Sequence, residues 1–166
     1  KLKIHADEIV SLGGSELAGE LKATSADHLL HASDAGIKAM AENGVVSTLL
    51  PTTAFCLREP FARAREMIDA GCAVALATDF NPGSGFTFSV PLMLGLAVIY
   101  MHMTAEEAIT ALTLNGAAAV GRADRIGSIE VGKQADLTIL QYPSYKFLPY
   151  HTGVNIVEKV IPVTTQ

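Results

Sequence analysis

The 166-residue sequence has room for one ordinary domain, and 49% hydrophobic against 17% charged residues supplies a large core and excludes general disorder. A formal net charge of -5 without any lysine or arginine run leaves no electrostatic footprint for nucleic acid or an anionic membrane. The expected partner is a small molecule, handled locally.

The chain opens on Lys1-Leu2-Lys3-Ile4, which alternates like the end of a strand and delivers His5-Ala6-Asp7-Glu8. A strand at the first residue is an unusual domain start and predicts that an upstream part belongs with it. No charged segment followed by an apolar one marks a secretory leader, so the expected location is the cytoplasm. Gly13, Gly14 and Ser15 lead into a short helix over residues 16–21, with Leu17 and Leu21 on one face. The two glycines lack the order required of a dinucleotide fingerprint. Residues 22–26 form a weak second strand that delivers Asp27 and His28. A helix then starts at Ser33, runs through Ile37 and Met40 to Asn43, and stops at Gly44. The third strand, residues 45–50, is closed by Pro51. A loop through Thr52, Thr53 and Phe55 leads to a helix over residues 60–70, opened by Pro60 and stopped at Gly71.

The fourth strand, residues 73–78, is a short apolar run that ends at Asp79 and turns into Asn81-Pro82-Gly83-Ser84. An N-cap role for Asp79 is the bland alternative, set aside because Pro82 and Gly83 precede the next helical run. The longest apolar run, residues 90–101, is broken by Pro91 and Gly95 and falls short of the roughly 20 residues of a membrane span. It predicts a core helix over 89–101. A second helix starts at the capping box Thr104-Ala105-Glu106-Glu107, reaches Leu114 and continues over 115–120 until Gly121. Residues 126–140 alternate between paired turn glycines and predict small antiparallel strands.

Strand and helix thus alternate four times, which predicts an α/β fold: neighbouring parallel strands in sequence order, helices outside, and in sum half of a (β/α)8 barrel. The expected division is 1–122 for the half-barrel and 123–166 for a C-terminal β segment. Such a half exposes two strand edges and an apolar inner face, so the isolated chain is expected to self-associate.

Three strand ends carry ionisable groups: His5 with Glu8, Asp27 with His28, and Asp79. In parallel α/β folds the carboxyl ends of strands carry the chemistry, and in a barrel they converge on one mouth. A lone histidine is more often packed than functional, but three coincidences favour a site. His5 and Asp79 suit a metal, yet they fall short of the three protein ligands of a catalytic zinc site. His31, on the side of a helix, and His102, at a helix end, are read as structural; His151 stays open. Met93, Met101 and Met103 belong to a core helix, and Cys56 and Cys72 are small buried thiols.

The phrases Lys3-Ile4-His5-Ala6-Asp7-Glu8, Thr24-Ser25-Ala26-Asp27-His28-Leu29, Leu49-Leu50-Pro51 with Thr53-Ala54-Phe55, and Ala75-Leu76-Ala77-Thr78-Asp79-Phe80-Asn81-Pro82-Gly83-Ser84 resemble the amidohydrolase superfamily, and within it the imidazolonepropionase family. Gly127-Ser128-Ile129, Gly132-Lys133-Gln134-Ala135-Asp136-Leu137 and Pro149-Tyr150-His151 extend the likeness through nearly the whole chain. The resemblance implies the second half of the barrel plus part of a small β-sandwich. It implies one divalent metal, Zn or Fe, held by His5, Asp79 and two histidines of a His-x-His motif that this sequence lacks and an N-terminal half would supply. The implied reaction is hydrolysis of the cyclic amide 4-imidazolone-5-propanoate to N-formimidoyl-L-glutamate in histidine degradation, by a metal-activated water. In it Asp79 moves the proton, Glu8 bonds the substrate ring nitrogen, His28 polarises the carbonyl, and Asn81, Gly83 and Ser84 contact substrate. The implied partners are the substrate, the N-terminal half and further copies in a homo-oligomer, with this piece alone inactive. Another amidohydrolase, a cyclic deaminase or dipeptidase-like enzyme, would share the strand ends. A non-catalytic half-barrel module is the alternative outside enzymes.

Overall fold

A computed structural model describes residues 1–162. Its frame is a four-stranded sheet of β1 (Lys3–Ala6), β2 (Ser25–His28), β3 (Val46–Leu49) and β4 (Val74–Leu76), in the order β1-β2-β3-β4 and parallel throughout. The crossovers are α1 (Gly14–Glu20), α2 (Asp34–Glu42), α3 (Pro51–Leu57) and α4 (Ala64–Asp69). Beyond β4 come α5 (Val90–Tyr100), α6 (Ala105–Leu112) and α7 (Leu114–Ala119), then β5 (Leu137–Leu140), α8 (Phe147–Tyr150) and β6 (Val157–Ile161). β5 and β6 form a separate antiparallel pair.

Alternation sorts the strands into two faces. Ile4, Ala26, Leu49, Val74 and Leu76 join one large core with Ile37, Met40, Met67, Met93 and Leu94 from the covering helices. The opposite face carries Lys3 and His5 on β1, Asp27 on β2, Thr48 on β3 and Ala75 on β4. The register sets His5, Asp27, Thr48 and Ala75 side by side in one row. At the strands' amino ends α7 closes this face. Asn115 Nδ2 donates to the carbonyl of Val74 at 2.8 Å, Lys3 Nζ to that of Ala119 at 3.3 Å, and Ala119 packs on Val46 and Ala75.

α1 and α2 cross closely because glycines stand at the contact. A Cβ on Gly19 would lie 2.7 Å from that of Ala39, and one on Gly36 would lie 2.0 Å from Ser15 Oγ. The capping box expected at Thr104 and Glu107 forms, Ser33 caps α2 by accepting from the Gly36 amide, and Ser89 likewise caps α5 by accepting from the Leu92 amide.

Several expectations need correction. The second strand starts at Ser25, not at residue 22, because Lys22 takes a left-handed turn with φ of 48°. Pro51 opens α3 where a loop was expected, so the hydroxyls of Thr52 and Thr53 are helical and buried, whereas Cys56 on its outer side is exposed. The helix expected over 60–70 is confined to α4. Leu17 and Leu21 are exposed, since α1 buries Ser15, Ala18 and Gly19. Thr113, at ψ of -85°, separates α6 from α7. His31 lies half-buried in the turn before α2 and Met103 lies buried between α5 and α6, so neither sits in the helix expected for it. Within residues 126–140 only β5 is a strand: Ile129 and Val131 are 89% and 108% exposed and have no neighbouring strand among the described residues, and β5 pairs with β6, which begins at Val157. Among the described residues, no helix is long and apolar enough to cross a membrane.

Candidate active site

The sheet's carboxyl ends are marked by backbone that side chains seldom adopt. Asp7 follows β1 at φ of 49°, His28 and Leu29 close β2 at 77° and 62°, and Asp79 stands beyond β4 at 49°. Such left-handed non-glycine residues persist where surrounding bonds over-determine them. Asp7 shows how. Its buried carboxylate accepts from the amides of Leu12 (2.9 Å), Gly14 (3.1 Å) and Ser15 (2.9 Å) and from Ser15 Oγ (2.6 Å), which folds the segment after β1 back on itself. Burial alone would raise its pKa, but the Ser15 hydroxyl and the three amides together outweigh burial and hold it below the ordinary carboxylate value. Glu8 is thereby fixed beside the mouth.

His5 and His28 meet on adjacent strands, with His5 Nδ1 2.8 Å from His28 Nε2 and the ring centroids 5.0 Å apart. Strand alternation would leave His28 on the helix side with Ala26. The positive φ ends that alternation, and the ring turns to its neighbour. The other nitrogen, His28 Nδ1, is buried without a hydrogen bond and lies 3.6 Å from Glu8 Oε1. On β4's extension, Thr53 Oγ1 donates to Asp79 Oδ2 at 2.8 Å, while Thr52 Oγ1 donates to the carbonyl of Thr78 at 2.7 Å. α3 therefore holds both residues of the bend.

His5 and Asp79 line one cavity of about 230 Å³, whose floor continues through Asp27, Thr48 and Lys3 toward α7. Lys3 pairs with Asp27 at 3.4 Å and bonds the Ser25 hydroxyl, giving the inner face a charged layer beneath the histidines. The donor set suits a cation in part. Thr53 engages one oxygen of Asp79, and His28 engages Nδ1 of His5, so among the described residues Oδ1 of Asp79 and Nε2 of His5 have no hydrogen-bond partner. Among the described residues no three His, Cys, Asp or Glu side chains cluster to hold an ion, so these would be part of a ligand set.

Asn81, Gly83 and Ser84 form a self-bonded turn. Asn81 Oδ1 accepts the amides of Gly83 and Ser84, each at 2.8 Å, and its Nδ2 donates to the carbonyl of Asp79 (2.8 Å) and to Ser84 Oγ (2.7 Å). The hydroxyl proton of Ser84 is left to donate outward. Phe80 packs on both Phe86 and Phe88. Thus His5, Glu8 and His28 lie in one cluster, Asp79 shares the cavity with His5, and residues 81–84 carry on from Asp79. His31, His102 and His151 are apart from the cavity lining. Thr53 and Lys3 escaped the sequence reading as site residues, and Asp27 was read there only as an ionisable strand-end group. Lys3 carried a signal, two residues before His5 on the same face; Thr53 carried none.

The sequence profile described as "Amidohydrolase family" matches residues 4–163. The chain belongs to the amidohydrolase family. Imidazolonepropionase of Clostridium tetani is 76% identical over 161 residues, 97% of this chain and 38% of the relative. That of Parabacteroides distasonis is 70% identical over 161 residues, again 97% of this chain and 39% of the relative. The chain thus spans about two fifths of the curated relatives it matches. Among solved structures, an adenosine deaminase from Xanthomonas campestris with bound zinc superposes at a TM-score of 0.82 with 25% identity, over 96% of this chain and 43% of that one. A triazine hydrolase variant shares the fold at 0.82 and 19% identity, over 100% of this chain and 45% of that one. The sheet with its outer helices is accordingly part of the amidohydrolase (β/α)8 barrel.

Proposed function

We propose that the chain is the second half of an imidazolonepropionase, residues 1–122 completing a barrel and 123–166 a small β-sandwich, that opens 4-imidazolone-5-propanoate to N-formimidoyl-L-glutamate in the cytoplasm. The observation that carries this reading is the opening of His5 and Asp79 onto one cavity, in a chain 76% identical to the C. tetani enzyme. His5 Nε2 and Asp79 Oδ1 would hold a divalent ion, Zn or Fe, together with two histidines of the other half. Such an ion supplies Lewis acidity and a water of near-neutral pKa.

The chain's own groups would do the rest. Asp79, steadied by Thr53, can accept the attacking water's proton and return it to the leaving ring nitrogen. Glu8, one third exposed at the mouth, can hydrogen-bond a ring nitrogen of the substrate. His28 can polarise the carbonyl once its Nε2 is released from His5 and carries a proton. Ser84 offers a donor and Gly83 an approachable backbone, on a turn that Asn81 has already shaped. The other barrel half would cover the charged inner face, and further copies form the homo-oligomer.

Metal analysis and a turnover assay on this chain and on the protein restored with its other half test the reading. The restored protein should hold one ion and hydrolyse imidazolonepropionate, and the chain alone should bind metal weakly and be inactive. Tight metal and full turnover in the chain alone would refute the division of ligands. Deamination of a cyclic substrate by the restored protein, without imidazolonepropionate hydrolysis, would refute the substrate.

A further inference from the structure

His28 and Glu8 stand in a line with His5 that neither of their proposed substrate roles explains. At 2.8 Å, His5 Nδ1 and His28 Nε2 share one proton: one nitrogen carries it and the other offers a lone pair. If His28 Nε2–H donated, its Nδ1 would be a bare lone pair, buried without a partner, facing a Glu8 carboxylate oxygen at 3.6 Å. Two acceptors would then oppose each other beside a side chain only 3% exposed, where little water can intervene. In the reverse arrangement His5 Nδ1–H donates to His28 Nε2, and the proton of His28 sits on Nδ1, directed at the carboxylate. At 3.6 Å that contact is a charge attracting an N–H dipole rather than a formed hydrogen bond. For a neutral His28 the carboxylate therefore selects the second arrangement.

The geometry points to His28 as a positioning residue: oriented by Glu8, it accepts the Nδ1 proton of His5 and presents His5 in the one neutral tautomer whose Nε2 lone pair is open to the cavity. An imidazole binds a cation through an unprotonated nitrogen, and the group that takes its other N–H fixes both tautomer and ring orientation. The opposite tautomer of His5 would point an N–H at the ion and repel it. The left-handed backbone at His28 serves this contact, because regular strand geometry would carry the ring to the helix face. The inference rests on the reading of His5 as a ligand, and it gives Glu8 a task before any substrate arrives.

The test is ¹⁵N NMR of histidine-labelled, metal-free intact protein, in which protonated and bare ring nitrogens are resolved, combined with zinc affinity by chelator competition. His5 and His28 should each carry their proton on Nδ1. His28→Leu, which removes the acceptor, should mix the tautomers of His5 and weaken zinc binding roughly 10- to 100-fold. His28→Gln, whose amide oxygen can accept the same proton, should restore most of that affinity. Glu8→Leu should loosen the tautomer of His28, and Glu8→Gln, which keeps an oxygen acceptor, should hold it. A proton on Nε2 of His5 in the parent, equal zinc loss in His28→Leu and His28→Gln, or zinc bound directly to His28 would each overturn the inference. Neither readout involves turnover, so a protein that shows these tautomers but fails to hydrolyse imidazolonepropionate refutes the proposed reaction alone.

Discussion

Gly36 lies on α2, remote from the mouth of the sheet, yet adding one methyl there should reach the candidate site. A Cβ at Gly36 would stand 2.0 Å from Ser15 Oγ, 2.6 Å from Ser15 Cβ and 3.1 Å from Glu16 Oε2. Ser15 cannot swing aside freely, because it is fully buried and both its amide and its hydroxyl donate to Asp7. Overpacking of this kind costs about 1–3 kcal/mol, and losing a hydroxyl bond to a buried carboxylate costs about 1.5–3 kcal/mol. The better helix propensity of alanine returns about 1 kcal/mol. Gly36→Ala should therefore destabilise by about 2–4 kcal/mol, read as a lowered urea midpoint. Gly44→Ala is the control: nothing lies within 4 Å of its added Cβ, so its φ of 66° alone should cost about 1–2 kcal/mol. Adding Ser15→Gly to Gly36→Ala should recover much of the steric part, giving a non-additive pair. A Gly36→Ala protein as stable as the parent, or strict additivity in the double variant, would show that α1 and α2 are not locked by this contact.

Three further outcomes can be checked. Asp79→Asn in the restored protein should abolish imidazolonepropionate turnover, since an amide neither accepts the proton nor offers an ion a negative charge; residual turnover within tenfold of the parent would exclude Asp79 as the proton carrier. Thr53→Val removes the 2.8 Å bond to Asp79 at constant shape and should weaken zinc binding about tenfold, which corresponds to about 1.4 kcal/mol, while Thr53→Ser should bind as the parent does. Glu107 accepts both Arg65 guanidinium nitrogens at 2.9 Å and caps α6, and the Arg65 bonds hold its pKa below the ordinary 4.5. A depressed folded value adds stability above the unfolded pKa that is lost as pH falls through the folded one. The melting-temperature gap between parent and Glu107→Gln should thus be widest above roughly pH 5 and close on acidification; a gap that widens in acid would contradict the assignment.

The strands and their order were legible from alternation at β1, a weak segment before Asp27 and His28 at β2, and short apolar runs with stop signals at β3 and β4. Val46 to Leu49 are buried on both faces, and burial on both faces is what a continuous apolar run encodes. The helix α3 was not legible. Thr52, Thr53 and Phe55 after a proline read as loop, since propensity undervalues β-branched hydroxyls whose bonds are made to the carbonyl of Thr78 and to Asp79, 26 residues away. Residues 126–136 failed in the opposite direction: alternation was present, but a strand needs a partner, and among the described residues the segment paired with β5 begins at Val157. In the candidate site, His5 was visible at the end of an alternating segment and Asp79 as a polar residue closing an apolar run, and the structure opens both onto one cavity. The contact of His28 with His5 was not visible, because a strict two-residue period puts His28 on the other face.

That failure of periodicity shows how the sheet changes from structure to site. Along β1, β2 and β4 the apolar positions are fixed by the outer helices, and a side chain beyond the last rung can depart from the pleat only if the backbone leaves the β region. At Asp7, His28 and Asp79 it does so without glycine, at a cost of about 1–3 kcal/mol each. Each is held by an unlike partner: three amides and a serine hydroxyl for Asp7, the His5 ring for His28, and the Thr53 hydroxyl for Asp79. Glycine would relieve the strain but remove the side chain that makes each of these bonds. At Asp7 the price of glycine is also the fold of the segment that positions Glu8, because its carboxylate gathers Leu12, Gly14 and Ser15. These three left-handed residues therefore stand where side-chain chemistry and chain reversal are required of the same position, at the strand ends that carry His5, Glu8 and Asp79.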